Sequence, residues 1–156
     1  MAERLNDDAL FAVTNDGVLH AFDPDSTSGS ELWAFVPRSL LGRVRELYYN
    51  EEKPQPEDRG YGLDGNIRVL RIDNDRDGII EPTQWVDIDG DGEADADENI
   101  EYDRVYLYFG QRRGGSTYYA FDVTTKTSPK LLWERSYTAQ GAGQSWSTPT
   151  LAKVRI

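Results

Sequence analysis

Val105-Tyr106-Leu107-Tyr108-Phe109, Thr117 to Val123 and Lys130-Leu131-Leu132-Trp133-Glu134 are three short runs rich in β-branched and aromatic residues. Gly114-Gly115 separates the first from the second, and the polar stretch Thr125-Lys126-Thr127-Ser128-Pro129 separates the second from the third. Residues of these types favour a pleated, half-buried strand, and the glycine pair and Ser-Pro step break it. The same arrangement stands about a hundred residues earlier in the chain. There Leu10 to Thr14 reaches a turn at Asn15-Asp16-Gly17, Val18 to Asp23 follows, and a Ser/Gly loop leads to Glu31-Leu32-Trp33-Ala34-Phe35. Asp-Gly is a strong hairpin signal, because its left-handed turn suits the twist of the flanking strands. Ala21-Phe22-Asp23 matches Ala120-Phe121-Asp122, and Leu32-Trp33 matches Leu132-Trp133. The chain is therefore read as all-β and repetitive.

An Ala-Phe-Asp strand, a polar loop and a Leu-Trp strand together have the look of a quinoprotein-like β-propeller blade, which needs a fourth strand. Leu63 to Ile72 is expected to supply it for the second unit, and Ser147 to Ile156 to begin a third. The expected organisation is one partial propeller of about two blades. Residues 9–36 hold strands of the first blade, 37–60 a helix and a loop, 61–138 the second blade, and 145–156 the first strand of the next. A propeller closes with four to eight blades, so the chain is expected to be a piece of one. Apolar residues at 40, 41, 44, 47 and 48 have helical spacing behind Pro37, which predicts a helix over 37–49. Residues 51–59 are charged, contain two prolines, and read as a loop.

Charge is concentrated in one place. Between Asp73 and Asp103 stand 13 acidic residues and one basic residue, Arg76, a net of −12 in a chain of net −11. The rest of the protein is nearly neutral, and the acidity belongs to an insert in the second unit. Such a segment repels nucleic acid and anionic membrane and calls for a cation.

Asp87-Ile-Asp-Gly-Asp-Gly-Glu-Ala-Asp-Ala-Asp-Glu98 has the spacing of a twelve-residue calcium loop. Asp87, Asp89 and Asp91 take positions 1, 3 and 5, Gly92 position 6, the Glu93 carbonyl position 7, Asp95 position 9 and Glu98 position 12. Calcium takes six to eight oxygens in a flexible cage, and this loop offers about seven. A second loop starts at Asp73, with Asp75 and Asp77 at positions 3 and 5, Gly78 at 6, Ile79 at 7 and Glu81 at 9. Its position 12 is Gln84, a neutral group in place of a bidentate carboxylate, so its affinity is expected to be lower. Neither loop lies between evident helices.

Other chemistry finds little footing. The chain has no cysteine and one histidine, His20, in the middle of a predicted strand. No nucleophile–base set is evident, and no enzymatic activity is expected. Gln111-Arg112-Arg113-Gly114-Gly115 lacks the pattern of a phosphate-binding loop. Trp33, Trp85, Trp133 and Trp146 are expected to pack rather than to serve as stacking platforms. No run of the sequence is long and apolar enough for a membrane-spanning helix.

The order of these motifs resembles the type IV pilus tip-associated adhesins of the PilC/PilY family. The resemblance rests on Asn15 to Asp23, Leu32 to Pro37, Tyr61-Gly-Leu-Asp-Gly65, the acidic insert, Val105 to Gly115, Tyr118 to Thr124 and Gly143-Gln-Ser-Trp-Ser-Thr-Pro149. It implies a modified quinoprotein-like propeller that binds calcium, regulates pilus extension and retraction, and takes part in surface attachment. It implies a place on the bacterial cell surface, with pilus proteins or a host or surface receptor as partners. The polar start Met1-Ala2-Glu3-Arg4 is no signal peptide, so for an exported protein the chain is expected to begin inside a longer one. The alternative is a quinone-cofactor dehydrogenase, whose propeller also uses calcium. There the ion sits with the cofactor on residues scattered over several blades, whereas here the ligands are contiguous.

Overall fold

The structure, a computed structural model, describes residues 8–49, 60–74, 76–85, 99–101 and 103–152. The first unit is a three-stranded antiparallel sheet of β1 (Leu10–Val13), β2 (Leu19–Phe22) and β3 (Glu31–Phe35). Gly17, at φ +100°, supplies the left-handed residue of the β1–β2 turn. The turn is closed by Thr14 N–H to the Val18 carbonyl and Gly17 N–H to the Thr14 carbonyl, both 2.9 Å. The second unit is a four-stranded antiparallel sheet in the order β4 (Arg68–Ile72), β7 (Arg104–Gly110), β8 (Thr117–Asp122), β9 (Lys130–Ser136).

The repeat extends to register. Ala21 pairs with Trp33 and Phe22 with Glu31, with a bulge between Ala21 and Phe22. In the second unit Ala120 pairs with Trp133 and Phe121 with Leu131, with a bulge between Ala120 and Phe121. Each bulge leaves the leucine before the tryptophan without an opposite residue, so Leu32 and Leu132 are equivalent. The aromatic pair on the same face also recurs. Phe11 lies 5.8 Å from Trp33 at 45°, and Tyr108 lies 6.1 Å from Trp133 at 47°.

The core lies where one face of the first sheet meets the opposite face of the second. Leu19, Leu40, Leu63, Leu107, Phe109, Tyr119, Phe121 and Val123 form its buried centre, with Phe11, Val13, Trp33 and Phe35 against it. Alternation on β7 and β8 places Leu107, Phe109, Tyr119 and Phe121 on this face. Phe121 carries the contact: its ring lies 4.8 Å from Phe35 and 6.4 Å from Trp33. Trp33 reaches further and donates its indole N–H to the Lys126 carbonyl at 2.8 Å.

Pro37 leads into a single helical turn over Arg38–Leu40 and then into α1, Leu41–Tyr49, as the sequence spacing predicts. The apolar stripe behaves differently. Leu40 is buried, but Leu41, Leu47, Tyr48 and Tyr49 are exposed. Burial against the described residues therefore does not explain this helix.

The fourth strand is shorter than its sequence suggests, because Tyr61 to Gly65 serves as a junction. Leu63 N–H donates to the Thr14 carbonyl in the first unit, and Asp64 takes Arg113 of the second through both carboxylate oxygens. The Arg113 guanidinium also lies 3.7 Å over the Tyr61 ring. A Cβ on Gly114 would stand 1.7 Å from the Gly62 carbonyl oxygen, which explains a glycine there. Residues 146–152 carry no strand, and 153–156 lie outside the described residues.

The acidic insert leaves and re-enters at one end of the β4–β7 pair, where Ile72 faces Arg104. Inside it, β5 (Thr83–Trp85) pairs with β6 (Asn99–Glu101), so residues 86–98 are bracketed by a two-stranded ladder that the sequence did not announce.

Candidate metal site

Asp87, Asp89, Asp91, Glu93, Asp95 and Glu98 lie outside the described residues, as does Asp75. Asp73, Asp77, Ile79 and Glu81 are described, and their backbone is folded around Asp73. One oxygen of its carboxylate accepts the Arg76 N–H at 2.7 Å and the other accepts the Gly78 N–H at 3.1 Å. Asp77 Oδ1 accepts the Ile79 N–H at 2.7 Å. Two residues are left-handed, Arg76 at φ +66° and Gly78 at φ +89°, so the chain coils tightly between positions 4 and 6. Gly78 meets the demand of that sixth position for a residue tolerant of positive φ.

Two features tie the loop to the sheet. Arg71, on β4, donates to the Gly78 carbonyl and stands 3.6 Å from Asp73 Oδ2. Asp103, just before β7, is fully buried, and its two carboxylate oxygens accept the N–H groups of Asn74 at 2.9 Å and Glu81 at 3.0 Å. The Asp103 N–H in turn donates to the Glu81 carbonyl at 2.9 Å. Sequence reasoning counted Asp103 with the acidic insert and gave it no separate role. Its only signal was its position, outside the Asp-x-Asp series and beside the strand that follows.

The oxygen chemistry and the turn fit a hard cation such as calcium. Among the described residues, however, no three carboxylate or imidazole groups converge as a metal-holding set. Asp73 and Asp77 accept loop N–H groups, and Asp73 also stands beside the Arg71 guanidinium.

The remaining candidates have structural work. His20 Nδ1 lies 2.8 Å from Glu31 Oε1 on the neighbouring strand, and its ring stacks on Phe22. Ser145 is buried, accepts the Arg112 N–H at 2.9 Å and donates to the Gly115 carbonyl at 3.0 Å. Gln111 is buried and donates to Ser39 Oγ and to the Tyr119 hydroxyl. The Gln111–Gly115 stretch is thus a packed hairpin turn. Trp33 packs in the core, while Trp133 and Trp146 are 37% and 56% exposed, so packing does not describe all the tryptophans.

No family model matches the chain. Over 150 residues, 93% of its length, it is 29% identical to the type IV pilus biogenesis factor PilY1 homolog of Xylella fastidiosa. Over 154 residues, 98% of its length, it is 28% identical to the type IV pilus biogenesis factor PilY1 of Pseudomonas aeruginosa. The chain is similar to PilY1 proteins along nearly its whole length. The resemblance read from motif order thus holds along nearly all of the sequence. The fold agrees: the crystal structure of the Pseudomonas aeruginosa PilY1 C-terminal domain superposes with a TM-score of 0.54, at 24% identity, over 94% of this chain. The chain spans about a tenth of the length of these curated relatives, 9% and 11%, and 22% of the solved domain. Among the described residues no helix of the chain is long and apolar enough to cross a membrane.

Proposed function

We propose that this chain is a calcium-binding module of a type IV pilus-associated protein that acts in pilus biogenesis and in surface attachment. The similarity to PilY1 proteins along 93% and 98% of the chain carries this reading. The module belongs on the bacterial cell surface or on the pilus, with pilus components and a surface receptor as partners of the whole protein. Its role is regulatory and structural, not catalytic.

The units are read as blades of a quinoprotein-like propeller, and their packing supports this. The Phe11–Ala21–Trp33 face of the first unit covers the opposite face of the second, through Phe121. The equivalent face of the second unit is Tyr108–Ala120–Trp133, with Trp133 37% exposed. A front-to-back contact of this kind is heterologous and propagates until a ring closes.

Calcium would occupy the 87–98 loop tightly and the 73–81 loop less tightly. Without it, a net charge of −12 opposes order in the insert. Calcium at ten times its dissociation constant stabilises the ordered loop by about 1.4 kcal/mol per site. That shifts a local equilibrium roughly tenfold and leaves the β7–β9 strands unchanged, which makes the insert an order–disorder switch.

The test is made in the intact pilus protein in its own bacterium, with Asp77→Ala and Asp91→Ala combined. Surface pili recovered by shearing, and surface motility, are followed with and without a calcium chelator. Pilus display should lose its calcium response in the variant. An unaltered calcium response would refute the calcium part, and normal piliation after removal of the whole segment would refute the pilus part.

A further inference from the structure

We propose that Asp103 is a positioning residue for the 73–81 loop, tying the two ends of that loop together for a cation that it does not itself ligate. This rests on the reading of the loop as a calcium site. Its basis is the burial of one carboxylate and the backbone N–H that each of its oxygens accepts.

Asp103 is 0% exposed, and each of its oxygens receives a backbone N–H: Asn74 at loop position 2 and Glu81 at position 9. A buried carboxylate is tolerable only where its charge is met by such donors. Here the donors come from the two ends of one loop, so the carboxylate fixes the span between them. The backbone adds a third tie, Asp103 N–H to the Glu81 carbonyl at 2.9 Å. The next residue adds a fourth, with Arg104 Nη1 donating to the Pro82 carbonyl at 3.0 Å. Both residues stand at the start of β7, where Arg104 pairs with Ile72 at the end of β4. The loop is therefore anchored to the sheet through a group outside its own twelve positions.

The consequence is a dependence of affinity on a non-ligand. Ordering a loop of carboxylates costs entropy when the ion arrives, and a loop whose two ends are already tied has less of it left to lose. Asp103→Asn keeps the size of the side chain but turns one acceptor into an NH₂ donor aimed at a backbone N–H. Loss of a hydrogen bond to a charged group corresponds to a roughly ten- to hundredfold weaker equilibrium.

The experiment uses the full chain carrying Asp91→Ala, which isolates the 73–81 loop from the acidic loop that follows. Calcium chloride is titrated by calorimetry into this parent and into the same protein with Asp103→Asn. Hydrogen exchange is measured at the Asn74 and Glu81 amides of both proteins. Affinity weakened about tenfold or more, with faster exchange at those two amides and unchanged exchange in β7 and β8, supports the assignment. Equal affinity in the two proteins overturns it, as does unchanged exchange at Asn74 and Glu81. Loss of exchange protection throughout β7 and β8 would make Asp103 a general fold residue and also overturns it. No calcium heat in the parent refutes the cation reading of the loop itself, and with it the role assigned to Asp103.

Discussion

Replacing Phe121 by alanine tests whether the two sheets are joined as described, because the repeat provides its own control. Phe121 is 3% exposed and lies against Phe35, Phe109 and Trp33 at 4.8, 6.1 and 6.4 Å. Truncating a buried phenylalanine costs about 3–5 kcal/mol, and each aromatic pair adds about 0.5–1.5 kcal/mol beyond area burial. With three ring partners and both sheets at the site, a loss of about 4 kcal/mol is expected. Phe22 is the same position of the first unit, part-exposed and, among the described residues, stacked on His20 alone at 5.7 Å. Phe22→Ala should cost about 1 kcal/mol, near the centre of the distribution for point mutants. Urea unfolding followed by tryptophan fluorescence measures both. With a slope of about 2 kcal/mol per molar, the Phe121→Ala midpoint falls by about 2 M and that of Phe22→Ala by about 0.5 M. Equal shifts, or a Phe121→Ala loss below about 1 kcal/mol, would refute the packing of the first unit on the second.

Calorimetry on the two candidate loops should show that Asp87→Ala or Asp91→Ala abolishes the tighter calcium site while Asp75→Ala removes only the weaker one. Dissociation constants on the order of 10⁻⁴–10⁻³ M are expected, as for extracellular modules, and equal loss from all three variants would contradict the ranking. Alkaline pH should destabilise the fold through Tyr119, whose hydroxyl is pushed up to about 12 by burial. The folded form holds its proton more tightly than the unfolded chain, so this contribution is complete below about pH 10 and is lost as the pH rises towards 12. Urea midpoints measured across that range should fall, and Tyr119→Phe should flatten that part of the profile.

Much of this fold is legible in consecutive residues. The strands of both units follow from alternation and turn residues, the helix after Pro37 from its 3.6-residue spacing, and the acidic insert from its run of carboxylates. These properties are local: a period, a turn that needs positive φ, a run of repelling charge. The ladder of Thr83–Trp85 with Asn99–Glu101 escaped notice because each strand is three residues long, too short for a period to show.

What tertiary structure decided is which of two equivalent residues is covered and which distant groups meet. Trp33 and Trp133 each follow a leucine and stand at the same bulge, yet among the described residues only Trp33 finds a ring and a carbonyl across the sheet gap. That carbonyl is 93 residues away. Asp103 was one acid among 13 in the insert, and its partners are backbone N–H groups 29 and 22 residues earlier. Every non-proline residue carries such an N–H, so nothing in the sequence marks Asn74 and Glu81 as the ones a buried carboxylate will hold. Local chemistry is written in order along the chain. Burial and hydrogen-bond pairing depend on which surfaces the folded chain brings within 3 or 4 Å of each other, a relation between distant segments that no single segment contains.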